Sequence, residues 1–379
     1  MKKICFVTTV SLTIKSFLIE YANYLIYEDN YDVTFICNED DKLYEFCNEH
    51  IHYIPIRIDR GISFDGLAVI KQLKKIFKTE NFDIIQYSTP NAAFYASIAA
   101  RLSGCSNRLY CQWGIRYMGF ESGLKRIIFK CIEKATCCNS TFIECESHSI
   151  RNFSISEGLF PKEKSCVTWY GSACGVNLKK YDITNRNLWR NEIRRELGLP
   201  ESAVVFGYCG RLTKDKGINE LLEAFKDIEN PNAYLLLIGS FDINNSLKAE
   251  LVEWAKNCKN IVFVDWTNQL EKYYSAMDVF ASLSYREGFG LVVIEAAAMC
   301  LPAIVSNVPG QLDTIVDGED GWLVNIDIDE ISSSLKWCAD NYLDLEKYGY
   351  VARKKVEDKY EQTKLFKQMT LLRNELIAK

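Results

Sequence analysis

The chain has 379 residues, of which 48% are hydrophobic and 25% are charged, and its formal net charge is −5. This length predicts two domains, and the composition and charge exclude a disordered chain and a generally basic nucleic-acid binder. The 15 cysteines never occur in Cys-x-x-Cys spacing and only three histidines are present, which favours reduced structural thiols over disulfides or a zinc site.

The first segment, MKKICFVTTVSLTIKSF, has a basic start, but Lys15 and Glu20 interrupt its apolar stretch. It predicts a first strand and not a signal peptide. No run of about 18 apolar residues predicts a membrane span. We therefore expect a cytoplasmic protein that is soluble or peripheral to a membrane.

Short apolar runs alternate with helical patterns along the first half of the chain. The strand-like runs are residues 4–8, 33–37, 84–87, 109–112 and 141–144. Strands that alternate with helices predict a parallel sheet covered by helices. The second half repeats this scheme with AVVFGYCG, AYLLLIGS, NIVFVD, DVFASLS, PAIVS and GWLV, which predicts a second sheet of the same class.

Turn residues in WYGSACGVNLKKYD indicate the join between the two halves. We assign residues 1–175 to the first domain and residues 176–359 to the second, and the helical residues 360–379 are able to pack on either. Ligands of open α/β sheets bind beyond the carboxyl ends of the strands, so we expect the chemistry in a cleft between the domains. The loop after the first strand lacks Gly-x-Gly-x-x-Gly, and no Walker loop is present, which disfavours an NAD-linked oxidoreductase.

The segment GRLTKDKG, Gly210 to Gly217, lies between a predicted strand and the helix INELLEAFKDI. Arg211 and Lys216 therefore sit at the carboxyl edge of the sheet, beside a helix N-terminus. Arg211 is able to donate two parallel hydrogen bonds to a phosphate, and Lys216 supplies a point charge. The alternative for this segment alone is a solvated charged loop.

The segment YREGFGLVVIEAAA contains two glutamates, Glu287 and Glu295, eight positions apart. Glycines at 288 and 290 allow close approach of a ligand to the backbone, and a helix that starts near Gly290 offers its amides to an anion. Glu295 is the only charge in an apolar run, so it needs hydrogen bonds. A diol of a bound ligand or polar groups of the protein would supply them.

These segments together carry a family resemblance. GRLTKDKG and REGFGLVVIEAAA, followed by CLPAIVSNVPG and DGEDGWLV, resemble the C-terminal domain of the retaining glycosyltransferases of family four, with their Glu-x7-Glu motif. The similarity covers about residues 165–325. The segments VTTVSLTIKSFLIEYANYL and GVNLKKYD are similar to bacterial enzymes that build capsule, O-antigen or glycolipid oligosaccharides.

The resemblance implies the α/β GT-B fold, in which two Rossmann-like domains with parallel sheets face each other across an interdomain cleft. The first domain would bind the acceptor and the second the nucleotide-sugar. Arg211 and Lys216 would bind the donor diphosphate, Glu287 the hydroxyls of the transferred sugar and Glu295 the ribose diol. The full donor-binding set that the resemblance implies is Gly210, Arg211, Lys216, Glu287, Gly288, Phe289, Gly290 and Glu295.

One segment departs from the family pattern. Many relatives have histidines in an HGFH-like segment of the first domain, whereas the corresponding stretch here is QWGIRY, with Trp113 and Arg116 at those places. Both are candidates for a contact with the acceptor or the donor sugar. For Arg116 the alternatives are a contact with an acceptor phosphate and a surface arginine in a turn.

The resemblance implies a retaining hexosyl- or N-acetylhexosaminyltransferase that uses a UDP-sugar and a glycan acceptor, for which a glycan linked to polyprenyl diphosphate is a candidate. The family mechanism is a front-face displacement, so no enzymic nucleophile is required. No Asp-x-Asp metal site is evident, and we expect no metal, no cofactor and no nucleic acid. The alternatives are a sugar-nucleotide epimerase of the same fold and a non-catalytic sugar-nucleotide binding protein.

The segment GLKRIIFKCIEKATCC predicts an amphipathic helix. The residues expected to pack on the first domain are Leu124, Ile127, Ile128, Cys131, Ile132 and Ala135. Lys125, Arg126, Phe129 and Lys130 are then expected to face outward as a patch for an anionic membrane surface. This would place the enzyme at the inner face of the cell membrane. The alternative is a helix side that is only solvated.

Overall fold

The computed structural model describes residues 1–59, 61, 66–120, 122–241 and 247–379. The chain divides into two compact units. The first unit comprises Met1–Cys174 and Thr363–Lys379, and the second comprises Gly175–Gln362. The chain therefore leaves the first unit once and returns to it with its last helix.

The first unit contains a seven-stranded sheet of order β3-β2-β1-β4-β5-β6-β7, in which all pairs of neighbours are parallel. Its strands are β1 Lys2–Val7, β2 Tyr31–Cys37, β3 Ile51–Pro55, β4 Ile84–Tyr87, β5 Arg108–Gln112, β6 Phe142–Cys145 and β7 Ser165–Val167. The five predicted runs correspond to β1, β2, β4, β5 and β6. The strands β3 and β7 had not been predicted.

Helices cover this sheet, and the last of them comes from the C-terminal segment of the chain. They are α1 Ser11–Phe17, α2 Ile19–Asp29, α3 Gly66–Glu80, α4 Pro90–Ser103, α5 Leu124–Asn139, α6 His148–Ser156 and, after the second unit, α14 Gln362–Ala378. Among the described residues, no helix combines the length and the hydropathy that a membrane span needs.

The second unit contains a six-stranded parallel sheet of order β10-β9-β8-β11-β12-β13. Its strands are β8 Val204–Cys209, β9 Ala233–Ile238, β10 Ile261–Val264, β11 Val279–Ser282, β12 Ala303–Ser306 and β13 Gly321–Val324. Its helices are α7 Arg186–Leu197, α8 Ile218–Lys226, α9 Ala249–Asn257, α10 Leu270–Ala276, α11 Leu291–Ala298, α12 Ile328–Asp340 and α13 Leu345–Lys359. All six strands predicted for this half are present.

The central strands of the second sheet are buried throughout because helices cover both of its faces. Every residue of β8, β11 and β12 is buried. Parallel sheets are stable in this arrangement, in which both faces are removed from water. The two units together have the α/β GT-B architecture that the sequence predicted.

A buried ion pair attaches α14 to the first unit. Arg373 is fully buried and donates to Glu144 of β6 at 3.0 Å and to the side-chain oxygen of Gln86 at 2.8 Å. Loss of one partner from such a pair leaves an uncompensated buried charge, which typically costs about 3–5 kcal/mol. The contact therefore explains why the last helix packs on this unit.

Helix α5 faces the opposite way from the prediction. The side that was expected to pack on the domain is exposed, with exposed fractions of 72% for Leu124, 59% for Ile127 and 47% for Ile128. Phe129, which was expected to face outward, packs instead against the core of the first unit. The predicted orientation was wrong because the polar side of this helix finds buried partners.

The proposed membrane patch of Lys125, Arg126, Phe129 and Lys130 is therefore not one outward surface. Lys125 is exposed, but Arg126 donates to the carbonyl oxygen of Phe120 at 3.0 Å. Phe129 stacks on the Phe120 ring, with 5.5 Å between the ring centroids. Three of the four residues are thus partly buried and engaged within the first unit.

Candidate functional site

The candidate site lies at the carboxyl edge of the second sheet. From β8 the chain continues to β9 on one side, whereas from β11 it continues to β12 on the other. Neighbouring strands whose connections diverge in this way leave a crevice between their carboxyl ends, and ligands of open α/β sheets bind there. The loops that follow β8 and β11 carry Arg211, Lys216 and Glu287.

The loop after β8 is held close to the loop after β11. Lys214–Lys216 form a short 3-10 turn, and Gly217 follows with a φ of +71°. A Cβ atom at Gly217 would lie only 2.1 Å from the carbonyl oxygen of Leu283. The loop also contains a hydrogen bond of 2.8 Å from the Tyr208 hydroxyl to the carbonyl oxygen of Arg211. Glycine is therefore required for this close approach of the two loops.

Lys216 and Glu287 contact each other directly. The ammonium group of Lys216 forms an ion pair with Glu287 Oε1. The buried hydroxyl of Ser284 donates to the same oxygen at 2.9 Å. Both contacts use Oε1, so the carboxylate is oriented while Oε2 is able to accept from the hydroxyl of a ligand.

Asp215 links the same two loops. Its backbone carbonyl accepts from the amide of Tyr285 at 3.0 Å, and its carboxylate accepts from the Thr213 hydroxyl at 2.6 Å. Burial acts to raise the pKa of the Asp215 carboxyl, but the Thr213 hydrogen bond and the nearby cations Arg211 and Lys216 lower it overall. A charged Asp215 therefore sits beside the two cations and helps to hold them at the edge of the sheet.

The N-terminus of α11 begins in the same region. Gly290 precedes the helix with a φ of +53°, so the helix starts where the sequence predicted. A third loop, which follows β12, packs closely against this turn. A Cβ atom at Gly310 would lie 2.4 Å from the carbonyl oxygen of Glu287. Gln311 in that loop donates to the carbonyl oxygen of Ser282 at 2.9 Å. The amides at the start of α11 and the side chain of Glu287 thus belong to one supported turn.

Glu295 is partly buried on α11, where two tyrosines accompany it. The Tyr274 hydroxyl donates to Glu295 Oε2 at 3.4 Å, and the Tyr181 hydroxyl also bonds to the carboxylate. Burial raises the pKa of Glu295 to about 7, and the tyrosine bonds and the charge of Lys180 offset this only in part. The hydrogen bonds and charges around this carboxylate therefore do not fully offset the cost of burying it.

Trp113 and Arg116 belong to the first unit, beyond the end of β5. The Trp113 ring packs on Phe17 of α1, with 5.5 Å between the ring centroids. The guanidinium group of Arg116 lies over the Phe129 ring at 4.2 Å. Both side chains are partly buried and oriented by aromatic contacts. Their roles toward an acceptor or a donor sugar stay predictions.

Sequence reasoning did not identify three side chains that orient the predicted carboxylates. Ser284 bonds to Glu287, and Tyr181 and Tyr274 bond to Glu295. Tyr181 lies in GVNLKKYD, a segment that already carried part of the family resemblance, so a signal for it was present. Tyr274 is distant in the sequence, and its helix pattern contains no sign of the contact.

Within the part of the chain that the structure describes, no group of three His, Cys, Asp or Glu side chains is placed to hold a metal ion.

Two family models match the chain. Residues 3–147 match the model described as "Glycosyl transferase 4-like", and residues 190–355 match "Glycosyl transferases group 1". The capsular polysaccharide biosynthesis glycosyltransferase CapM of Staphylococcus aureus is 30% identical over 91% of this chain and 90% of its own. An Escherichia coli UDP-Gal:alpha-D-GlcNAc-diphosphoundecaprenol alpha-1,3-galactosyltransferase is 26% identical over 84% and 82%, respectively.

Solved structures share the fold over almost the whole chain. Anabaena HepE in complex with UDP and glucose has a TM-score of 0.80 at 17% identity and covers 98% of this chain and 99% of its own. Sucrose-phosphate synthase of Thermosynechococcus elongatus has a TM-score of 0.80 at 20% identity, with 100% of both chains covered. The two family models, the CapM relative and the architecture agree, and the chain therefore belongs to the family-four glycosyltransferases of the GT-B fold.

Proposed function

We propose that this glycosyltransferase moves a hexosyl or N-acetylhexosaminyl group from a UDP-sugar to a glycan acceptor with retention of the anomeric configuration. The observation that carries the proposal is the contact of Lys216 with Glu287 beside the N-terminus of α11. A cation and helix amides suit a diphosphate, while the neighbouring carboxylate suits sugar hydroxyls. A nucleotide-sugar presents these groups side by side.

The position of Glu295 supports a nucleoside on the far side of the diphosphate. Glu287 precedes α11, whereas Glu295 lies on its second turn, about 7 Å along the axis from Gly290 at 1.5 Å per residue. The anion site therefore lies between the two carboxylates. Two comparisons favour uridine as the base, because the E. coli relative is named for UDP-Gal and the HepE structure contains UDP.

The chemistry that these residues supply is positioning and charge stabilisation. When the bond from the sugar to the diphosphate breaks, negative charge grows on the leaving phosphate. Lys216 and Arg211 lie in one loop at this position, where each charge-assisted hydrogen bond is worth about 1.5–3 kcal/mol. The leaving phosphate is then able to accept the proton of the acceptor hydroxyl, as in the front-face displacement that the family resemblance implies.

We further propose that the acceptor is lipid-linked and belongs to the synthesis of a bacterial surface polysaccharide. The S. aureus relative is named for capsular polysaccharide, and the acceptor in the name of the E. coli relative is a sugar on diphosphoundecaprenol. Trp113 and Arg116 are candidate acceptor contacts, since an aromatic ring suits a sugar face and a guanidinium suits a phosphate. The enzyme would then act at the cytoplasmic face of the cell membrane.

A thermal-shift screen against a panel of nucleotide-sugars, followed by transfer assays with the best donor, tests the proposal. A polyprenyl-diphosphate-linked sugar serves as the acceptor, and proton NMR of the product reports the anomeric configuration. Incubation with the donor alone is the control for epimerisation. Inversion, epimerisation without an acceptor, or stabilisation by no nucleotide-sugar would each contradict a stated part of the proposal.

A further inference from the structure

Helix α5 exposes several large apolar side chains and buries polar ones. The exposed apolar residues are Leu124, Ile127, Ile128, Cys131 and Cys138. The buried residues are Glu133, Thr136 and Cys137. A helix at the surface of a globular protein normally has the reverse arrangement, with its apolar stripe toward the core. This helix therefore presents an apolar surface that the first unit does not use.

Polar contacts hold α5 in this orientation. Glu133 is buried and accepts from the Tyr110 hydroxyl at 2.8 Å and from the side-chain amide of Gln112 at 2.7 Å. One turn earlier, Lys130 forms an ion pair with Glu157 at 2.7 Å. Rotation of the helix toward the expected orientation would break these contacts and take Glu133 away from the Tyr110 hydroxyl and the Gln112 side-chain nitrogen, which is costly for buried groups.

The exposed side has an apolar centre with a lysine at each edge. At 100° per residue, the exposed residues Ile127, Cys131 and Ile128 span an arc of about 100°, and the partly buried Ile132 extends it to about 140°. Lys134 and Lys125 are both exposed and flank this arc, about 180° apart around the helix. Lysines in such positions extend their charged ends away from an apolar contact while their stems lie along it.

We propose that α5 lies in the plane of an anionic membrane, with its apolar side inserted at the boundary between head groups and acyl chains. The 16-residue helix provides a strip about 24 Å long at 1.5 Å per residue. Its flanking lysines meet anionic head groups, and the apolar centre meets acyl chains. This inference rests on the proposed function, since it names the surface by which the enzyme would reach a lipid-linked acceptor.

Charge favours a lipid surface over a second copy of the chain. The only acidic residue of α5 is Glu133, which is buried and hydrogen-bonded. Two copies packed through this side would bring four exposed lysines to the edges of one interface with no carboxylate of α5 to pair them. Anionic phospholipids offer negative head groups beside apolar chains, which matches both parts of the surface.

Vesicle co-sedimentation of the purified full-length protein tests the inference. We expect binding to vesicles that contain phosphatidylglycerol and much weaker binding to phosphatidylcholine alone. Ile127→Ser and Ile128→Ser should each weaken the partition coefficient by about tenfold, since each removes one large apolar side chain from the bilayer. The matched control is Leu188→Ser, which changes a similarly exposed leucine of the second unit and should have no effect.

The cysteines provide a second, independent measurement on the parent protein. Of the 15 cysteines, the exposed ones are Cys131 and Cys138, and both lie on the apolar side of α5. A water-soluble maleimide under limiting conditions should label these two first. Anionic vesicles should slow that labelling, and neutral vesicles should not. The double variant Cys131→Ser with Cys138→Ser identifies the fast-labelled sites.

The outcomes separate this inference from the proposed function. Absence of vesicle binding at low salt, equal loss in the Leu188→Ser control, or a dimer in sedimentation equilibrium that Ile127→Ser dissociates would overturn the membrane inference. Binding of a UDP-sugar in the absence of vesicles should be the same in parent and variants, because α5 carries none of the donor-binding residues. Failure of donor binding in the parent would contradict the proposed function alone.

Discussion

Protonation of Glu295 is expected to couple donor binding to pH. An unfolded glutamate titrates near 4.5, and burial raises the pKa of Glu295 to about 7 in the folded protein. Near neutral pH the free enzyme is therefore a mixture of carboxylic acid and carboxylate. A ribose diol donates two hydrogen bonds most favourably to the carboxylate, so binding of a nucleotide-sugar should release a proton.

The magnitude follows from the pKa difference. A difference of about 2.5 units corresponds to about 3 kcal/mol of folding free energy. Because the pKa of Glu295 is raised in the folded protein, burial of this group does not destabilise the fold well below pH 4.5. The loss of folding free energy grows as the pH rises from 4.5 and is complete above pH 7. If the carboxylate is the form that binds the diol, the affinity for the donor at pH 6 should be about tenfold weaker than at pH 8.

Isothermal titration calorimetry with a UDP-sugar measures this coupling. The doubly esterified diphosphate of the sugar nucleotide does not titrate in this range, whereas the terminal phosphate of UDP does. Titrations at pH 7 in buffers with different ionisation enthalpies should show release of about half a proton per donor bound. In Glu295→Gln the affinity should be independent of pH between 6 and 8, and no proton should be released.

Two further measurements separate the ribose contact from a structural role. Against a donor that lacks the ribose 2′-hydroxyl, the parent should lose affinity, while Glu295→Gln should discriminate far less. In thermal unfolding without ligand, the variant should gain stability over the parent at pH 8 and little at pH 5. A pH-independent affinity in the parent, or equal discrimination by both proteins, would refute the assignment of Glu295 to the diol.

Three other predictions concern the loops at the edge of the second sheet. Arg211→Ala and Lys216→Ala should each weaken donor use by about 1.5–3 kcal/mol in kcat/KM without a change in far-UV circular dichroism, and turnover like the parent by both would contradict the phosphate assignment. Ser284→Ala should lower kcat/KM by about tenfold, since it removes a hydrogen bond that orients Glu287; Ser284→Thr should restore part of the loss, and unchanged activity in the alanine variant would show that Lys216 suffices. Activity should survive EDTA, because the diphosphate is assigned to Arg211, Lys216 and helix amides; complete loss that magnesium or manganese restores would overturn this assignment.

The sequence alone was sufficient to predict the strands of the second unit and the positions of the loops that follow β8 and β11. Its six strands are short, apolar and separated by turn residues, and this pattern depends on local periodicity that any buried parallel strand shows. The start of α11 beside Gly290 was also predictable, because the apolar helical run begins directly after this glycine and glycine is accepted at an N-cap. In the first unit, β3 and β7 are three to five residues long and contain polar residues, so their local signal was weak.

Contacts between distant residues were decided only by the tertiary structure. The sequence distinguished two sides of α5 but did not show which of them faces inward. That choice depends on the buried partners of Glu133, which are Tyr110 and Gln112. The packing of α14 on the first unit likewise depends on the pairing of Arg373 with Glu144, residues 229 positions apart. Periodicity records the composition of each side of a helix, whereas the inward side is the one whose polar groups are satisfied when water is removed.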